Sequence, residues 1–132
     1  MFLYFLVALG SGLGGLARFA LSGYAAHHWG ETFPWGTLLV NVTGSFLIGF
    51  FATLTEPGGR VFISGSGRQF VMSGVLGGYT TFSSFSLQTL ELVREGDWFK
   101  AGANAAGSVL LCLVAVWLGY ALGAGFNAGK GA

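Results

Sequence analysis

The sequence predicts an all-α membrane protein of four transmembrane helices, the third of them broken. Three observations predict it. Only 8% of the 132 residues are charged while 53% are apolar, against about 25% charged in a soluble domain, and the mean hydropathy is +0.69. Four segments reach the roughly 20 residues that cross about 30 Å of hydrocarbon. The third contains a Gly77-Gly78 pair followed by a run in which six of the eight residues from Tyr79 to Ser86 carry a hydroxyl. With no repeat and no separate soluble segment, the chain reads as a single transmembrane domain over 1–132.

The first span covers about 2–26. No basic n-region precedes it, and its apolar stretch is too long for a signal-peptide core, so it reads as a retained helix. Gly10 and Gly14, and Ser11 and Gly15, form small-residue faces for close helix contact. Arg18 lies two turns from the end of this span. An arginine there is either functional or snorkels to the interface.

The second span covers about 35–55. Thr37, Asn41 and Ser45 recur at four-residue spacing and make one polar stripe on an apolar helix. A buried Asn brings two N–H donors and an acceptor. The stripe is either interhelical glue or one wall of a polar path.

The third span covers about 69–92, with its break expected near Gly77. Gly costs roughly 1 kcal/mol against Ala inside a helix, and two stiff β-branched threonines follow. Phe82 and Phe85 are three apart and share a face where the chain is helical. Two readings stand: unwound backbone lining a cavity, which is tolerated only away from lipid, or a kinked helix whose hydroxyls bond back to the i−4 carbonyls.

The fourth span covers about 98–123. Asn104 and Ser108 share a face near its start, and Ala115, Gly119 and Gly123 form another small face. The glycine- and alanine-rich tail 124–132 is expected to fray. Trp29, Trp35 and Trp98 stand at span ends, where interfacial aromatics belong.

Catalysis is not indicated, and the chain reads as no enzyme. His27 and His28 are adjacent in a connecting segment with no further ligand at metal-binding spacing. Cys112 is the only cysteine, and no acid lies near the centre of a span. The glycines of 10–15 are not followed by the Lys-Ser/Thr of a phosphate-binding loop. Net charge is +1, which leaves no basic footprint for nucleic acid.

The charge distribution is more informative. Put the N-terminus on one side, and Arg60, Arg68 and Lys130 fall there. Arg94, Lys100 and a snorkelling Arg18 fall on the other. Orientation follows Lys/Arg excess, with acids contributing little, so this chain has almost no instruction and can insert both ways up. Four helices fill their own core with side chains, so polar stripes on two spans call for an oligomer.

Three motifs in order then resemble one family. They are Gly14-Gly15-Leu16-Ala17-Arg18, the run Gly36-Thr37-Leu38-Leu39-Val40-Asn41-Val42-Thr43-Gly44-Ser45-Phe46, and Gly77-Gly78-Tyr79-Thr80-Thr81-Phe82-Ser83-Ser84-Phe85-Ser86. They resemble the Fluc, or CrcB-type, fluoride channels of microbes, and the resemblance covers all four spans. It implies an antiparallel, dual-topology homodimer with two fluoride pores in the inner (plasma) membrane, exporting fluoride passively to relieve its toxicity. It implies that Phe82 and Phe85, Asn41 and Ser108 line the pore and that Arg18 stands near an aqueous vestibule. It also implies a structural sodium ion at the dimer centre, held by backbone carbonyls at Gly77 and Thr80.

The chain departs from the family pattern at three places. Ser84 replaces a usual Thr, Asn104 stands where many members have Tyr, and Gln88 stands where a Glu is common. The chemistry of the residues agrees with the resemblance. Asn41, Thr37 and Ser108 can replace the hydration shell of a small anion with donors. Phe82 and Phe85 can present the positive ring edge, which binds an anion without trapping it.

Two other functions compete. A small dual-topology multidrug exporter needs a carboxylate in the first span, and none is there. A non-transporting membrane assembly protein explains the glycines and stripes as packing, but not the glycine pair with its paired phenylalanines.

Overall fold

In a computed structural model, residues 1–129 are described; Lys130, which enters the charge balance, lies outside them. Among the described residues the chain is all-helical. Three helices are long and apolar enough to cross a membrane: α1 (Phe2–Trp29), α2 (Trp35–Leu54) and α6 (Trp98–Gly129). The chain is a multi-pass integral membrane protein.

The third expected span is built in pieces. A short α3 (Gly65–Gln69) leads into a π-helical segment (Phe70–Leu76) and a single turn, α4 (Gly77–Tyr79). After two extended residues the chain resumes as α5 (Phe82–Arg94). At 13 residues, α5 is too short to cross alone, since about 20 are needed. It works only in series with the segment before it.

The break lies at Thr80–Thr81, not near Gly77. Gly77 is helical, at φ −63 and ψ −38. Thr80 (φ −90, ψ 159) and Thr81 (φ −152, ψ 119) are extended, a conformation that suits β-branched side chains. The glycine at 78 has a different use. A Cβ there would lie 2.8 Å from the Cα of Ser11, closer than packed atoms come, so α1 can approach only because Gly78 is bare.

The Gly10–Gly14 face is buried as its spacing predicts, while Ser11 and Gly15 are half-buried. A Cβ at Gly10 would stand 2.7 Å from the Phe70 carbonyl oxygen, and one at Gly14 would overlap the Val75 carbonyl. On the other side, Ala115, Gly119 and Gly123 of α6 are buried. Gly119 lies against Phe46 and Phe50 of α2, and Gly49 against Val116. α2 thus stands between the broken element and α6, in contact with both.

Two ends differ from expectation. Residues up to 129 stay helical at the C-terminal end of α6, where fraying was expected. Asn127 explains this: its Nδ2 donates to the Thr53 carbonyl at 2.8 Å, and its Oδ1 accepts from the Arg60 N–H at 2.7 Å. Arg60 also reaches the Phe126 carbonyl. α1 continues through His27 and His28 and stops at Gly30, whose φ of 78 only glycine adopts readily.

Candidate functional site

Asn41 is the link between α2 and the broken element. Its Nδ2 donates to the Thr81 carbonyl at 2.9 Å, and its Oδ1 accepts from the Thr81 N–H at 2.8 Å. This side chain satisfies both backbone groups of an extended residue, as a neighbouring strand would. It also diverts the N–H that a continuous helix would give to the Gly77 carbonyl. Thr81 then caps α5, its Oγ1 accepting from the Ser84 N–H at 3.2 Å. That N–H is the one the Thr80 carbonyl would otherwise receive. The i+4 donors of Gly77 and Thr80 are therefore both engaged elsewhere.

Beneath this junction lies a cavity of about 310 Å³. It brings together Asn41, Phe82, Phe85 and Ser108, with Gly77 and Thr80 also in its wall. Thr81, Ser45 (one turn beyond Asn41) and Cys112 (one turn beyond Ser108) complete its polar lining. No charged side chain lines it among the described residues. The rings of Phe82 and Phe85 are tilted by 52° with centroids 5.3 Å apart. Phe82 is 76% exposed, so one wall of the cavity is open in the single chain.

Thr37 is separated from the rest of its stripe. It is buried and lines a second cavity, of about 520 Å³, together with Gln88, Glu91, Glu95 and Glu31. The Oε1 of Gln88 is buried there without a hydrogen-bond partner. Arg18 turns inward along α1, and its Nε donates to the Gly78 carbonyl at 3.2 Å. This ties α1 to the turn before the break.

Sequence reasoning left Asn104 without a role and missed Thr89. Asn104 is 2% exposed. Its Nδ2 donates to Thr89 Oγ1 at 2.9 Å, and its Oδ1 accepts from the Ser108 hydroxyl at 3.3 Å. Thr89 in turn donates to the Phe85 carbonyl at 2.8 Å. A chain of hydrogen bonds thus runs from Ser108 on α6 to the backbone of Phe85 on α5. The signal for Thr89 was its spacing, one helical turn after Phe85. Both readings of the hydroxyl-rich run hold in part: Thr80, Ser86 and Thr89 bond back to i−4 carbonyls, while the backbone between Tyr79 and Phe82 is unwound.

An uncharged cavity at a helix break suits an ion that must be held and released, since polar groups and ring edges bind it without a fixed countercharge. The comparisons with known proteins point the same way. A protein of Opitutus terrae named fluoride-specific ion channel FluC is 66% identical over 131 residues, 99% of each chain. One of the same name from Methylocella silvestris is 55% identical over 129 residues, 98% of each. Another, from Paramagnetospirillum magneticum, is 58% identical over 120 residues, 91% of this chain and 94% of the other. Residues 5–120 match the family described as "CrcB-like protein, Camphor Resistance (CrcB)". The chain belongs to the CrcB family.

Proposed function

We propose that this protein is a fluoride-selective channel of the plasma membrane, through which fluoride leaves the cell passively and its toxicity is relieved. The observation that carries the reading is the uncharged cavity in which Asn41, Phe82, Phe85 and Ser108 meet. Relatives alike over their whole length are named for fluoride. Fluoride is small and strongly hydrated, so a dry passage must replace its shell. After its two bonds to Thr81, Asn41 keeps one N–H for an anion. The phenyl edges of Phe82 and Phe85 add weak, reversible attraction. Thr37 and Gln88 belong to the second cavity, one turn of α2 away.

The working unit in this reading is an antiparallel homodimer. Phe82 is apolar and 76% exposed beside an open cavity, and a second copy gives it a covering wall. The near-equal Lys/Arg counts on the two sides support insertion in both orientations. A structural sodium ion at the dimer centre also fits this chain. Gly77 and Thr80 have lost the usual donors to their carbonyls, and irregular backbone with free carbonyls is tolerated only in a buried site. When bound, sodium would take the place of the missing N–H donors on those oxygens and hold the two breaks together.

The test is ion flux from liposomes loaded with fluoride or chloride. The purified protein is expected to pass fluoride and exclude chloride by a wide margin. Equal passage of both, or no flux from folded protein, overturns the reading.

A further inference from the structure

The break has a second fastening on α2, separate from Asn41. The Tyr79 hydroxyl lies 2.8 Å from Thr43 Oγ1. Thr43 has one hydroxyl proton, and its Oγ1 also lies 2.7 Å from the Leu39 carbonyl oxygen. Both bonds form together only with Tyr79 as the donor, running Tyr79 to Thr43 to the backbone of α2. The ring of Tyr79 lies over Gly44, where a Cβ would be 3.2 Å from its Cδ2. The methyl of Thr80 fills the remaining space above the same glycine.

These contacts bracket the break. Tyr79 is the last helical residue before it, and Thr81, held by Asn41, is the residue that caps α5. One anchor would leave the peptide at Thr80 free to pivot about Thr81. Two anchors on the same rigid helix fix both its position and its direction. The direction in which α5 leaves, and with it the ring of Phe82 on its first residue, follows from that.

We propose that Tyr79 and Thr43 form a latch that positions the Thr80–Thr81 break for permeation. Both are positioning residues; neither lines the cavity that holds Asn41 and Phe82. The effect on permeation rests on the fluoride reading above, whereas the effect on the backbone does not.

The experiment uses Tyr79→Phe, Thr43→Val, their combination and Thr43→Ser in the full chain, each measured twice. Amide hydrogen exchange at residues 80–84 reports the backbone, and liposome flux over a range of fluoride concentrations reports permeation. Removing one hydrogen bond of this kind changes a local opening equilibrium by about 2–10-fold. Exchange at 80–84 is expected to rise by about that factor in Tyr79→Phe and Thr43→Val, with the other helices unchanged. Maximal fluoride flux is expected to fall while the half-saturating fluoride concentration moves little, because the latch does not touch the ion. The double variant is expected to match the singles, since both remove one bond, and Thr43→Ser is expected to behave as wild type. Wild-type exchange at 80–84 in both single variants overturns the latch. So does additivity in the double variant. If exchange rises but flux does not change, the role in permeation is overturned. If wild-type protein passes no fluoride, the functional reading falls, and the exchange result still decides the latch.

Discussion

Asn41 is where one substitution separates two roles. Asn41→Ala removes two hydrogen bonds, at 2.9 and 2.8 Å, and leaves the Thr81 N–H and carbonyl without partners. An unsatisfied buried group costs about 1–3 kcal/mol. These groups are only part-buried, so the low end of that range applies, about 1–1.5 kcal/mol each or roughly 2–3 kcal/mol for the pair. At 1.36 kcal/mol per factor of ten, the break should lose its extended geometry by roughly 30–150-fold relative to alternatives. The first alternative is a continuous helix, because the freed Thr81 N–H can reach the Gly77 carbonyl. Asn41→Asp is the informative partner. It keeps the acceptor for the Thr81 N–H but turns a second oxygen toward the Thr81 carbonyl. If Asn41 only positions the backbone, Asp should be milder than Ala. If its remaining N–H also binds the permeating anion, Asp should be at least as damaging, since its charge faces the ion in a cavity without a positive group. Both variants would be compared by thermal unfolding and by fluoride flux from liposomes. The expected result is a flux loss of more than about tenfold in both, with Asp no better than Ala. Flux within twofold of wild type in Asn41→Ala, at unchanged thermal stability, would refute the reasoning.

Three further outcomes are expected. Phe82→Ile and Phe85→Ile keep apolar bulk but remove the ring edge, so flux should fall while elution on size-exclusion chromatography stays as in the wild type; normal flux in both would reduce the rings to packing. Gly14→Ala places a methyl on the Val75 carbonyl, whereas Gly12 has nothing within 4 Å. Thermal unfolding should show Gly14→Ala destabilised by about 1–3 kcal/mol and Gly12→Ala unchanged or stabilised by up to about 1 kcal/mol. Reporters at the C-terminus should appear on both sides of the membrane in comparable amounts. Adding two or three lysines to that terminus should bias the distribution and lower activity, and co-expression of an oppositely biased chain should restore it.

The sequence by itself determined the membrane class and the helical faces. These follow from local rules. Apolar length sets a span, and a four-residue period sets a face, which is why Gly10 and Gly14, or Ala115, Gly119 and Gly123, were legible as contact surfaces before any fold was known. The family resemblance, in turn, implied Asn41, Phe82, Phe85 and Ser108 as pore residues, and one cavity brings these four together. Only the tertiary structure decided where the third helix breaks and what breaks it. Gly77 and Gly78 looked responsible because glycine weakens a helix wherever it occurs. Gly78 instead admits Ser11 of α1 by its bare Cα, Gly77 is an ordinary helical residue, and the break falls at Thr80–Thr81. Its cause is the side-chain amide of Asn41, 40 residues earlier, and no pattern of nearby residues records a bond at that distance. The same holds for the C-terminal turns of α6, read as frayed from their composition but tied down by Asn127 to Thr53 and Arg60. Thr37 and Asn41 share a helix face, yet they open into different cavities. A helix sets only which side chains point together; what stands opposite each turn is set by the elements packed against it.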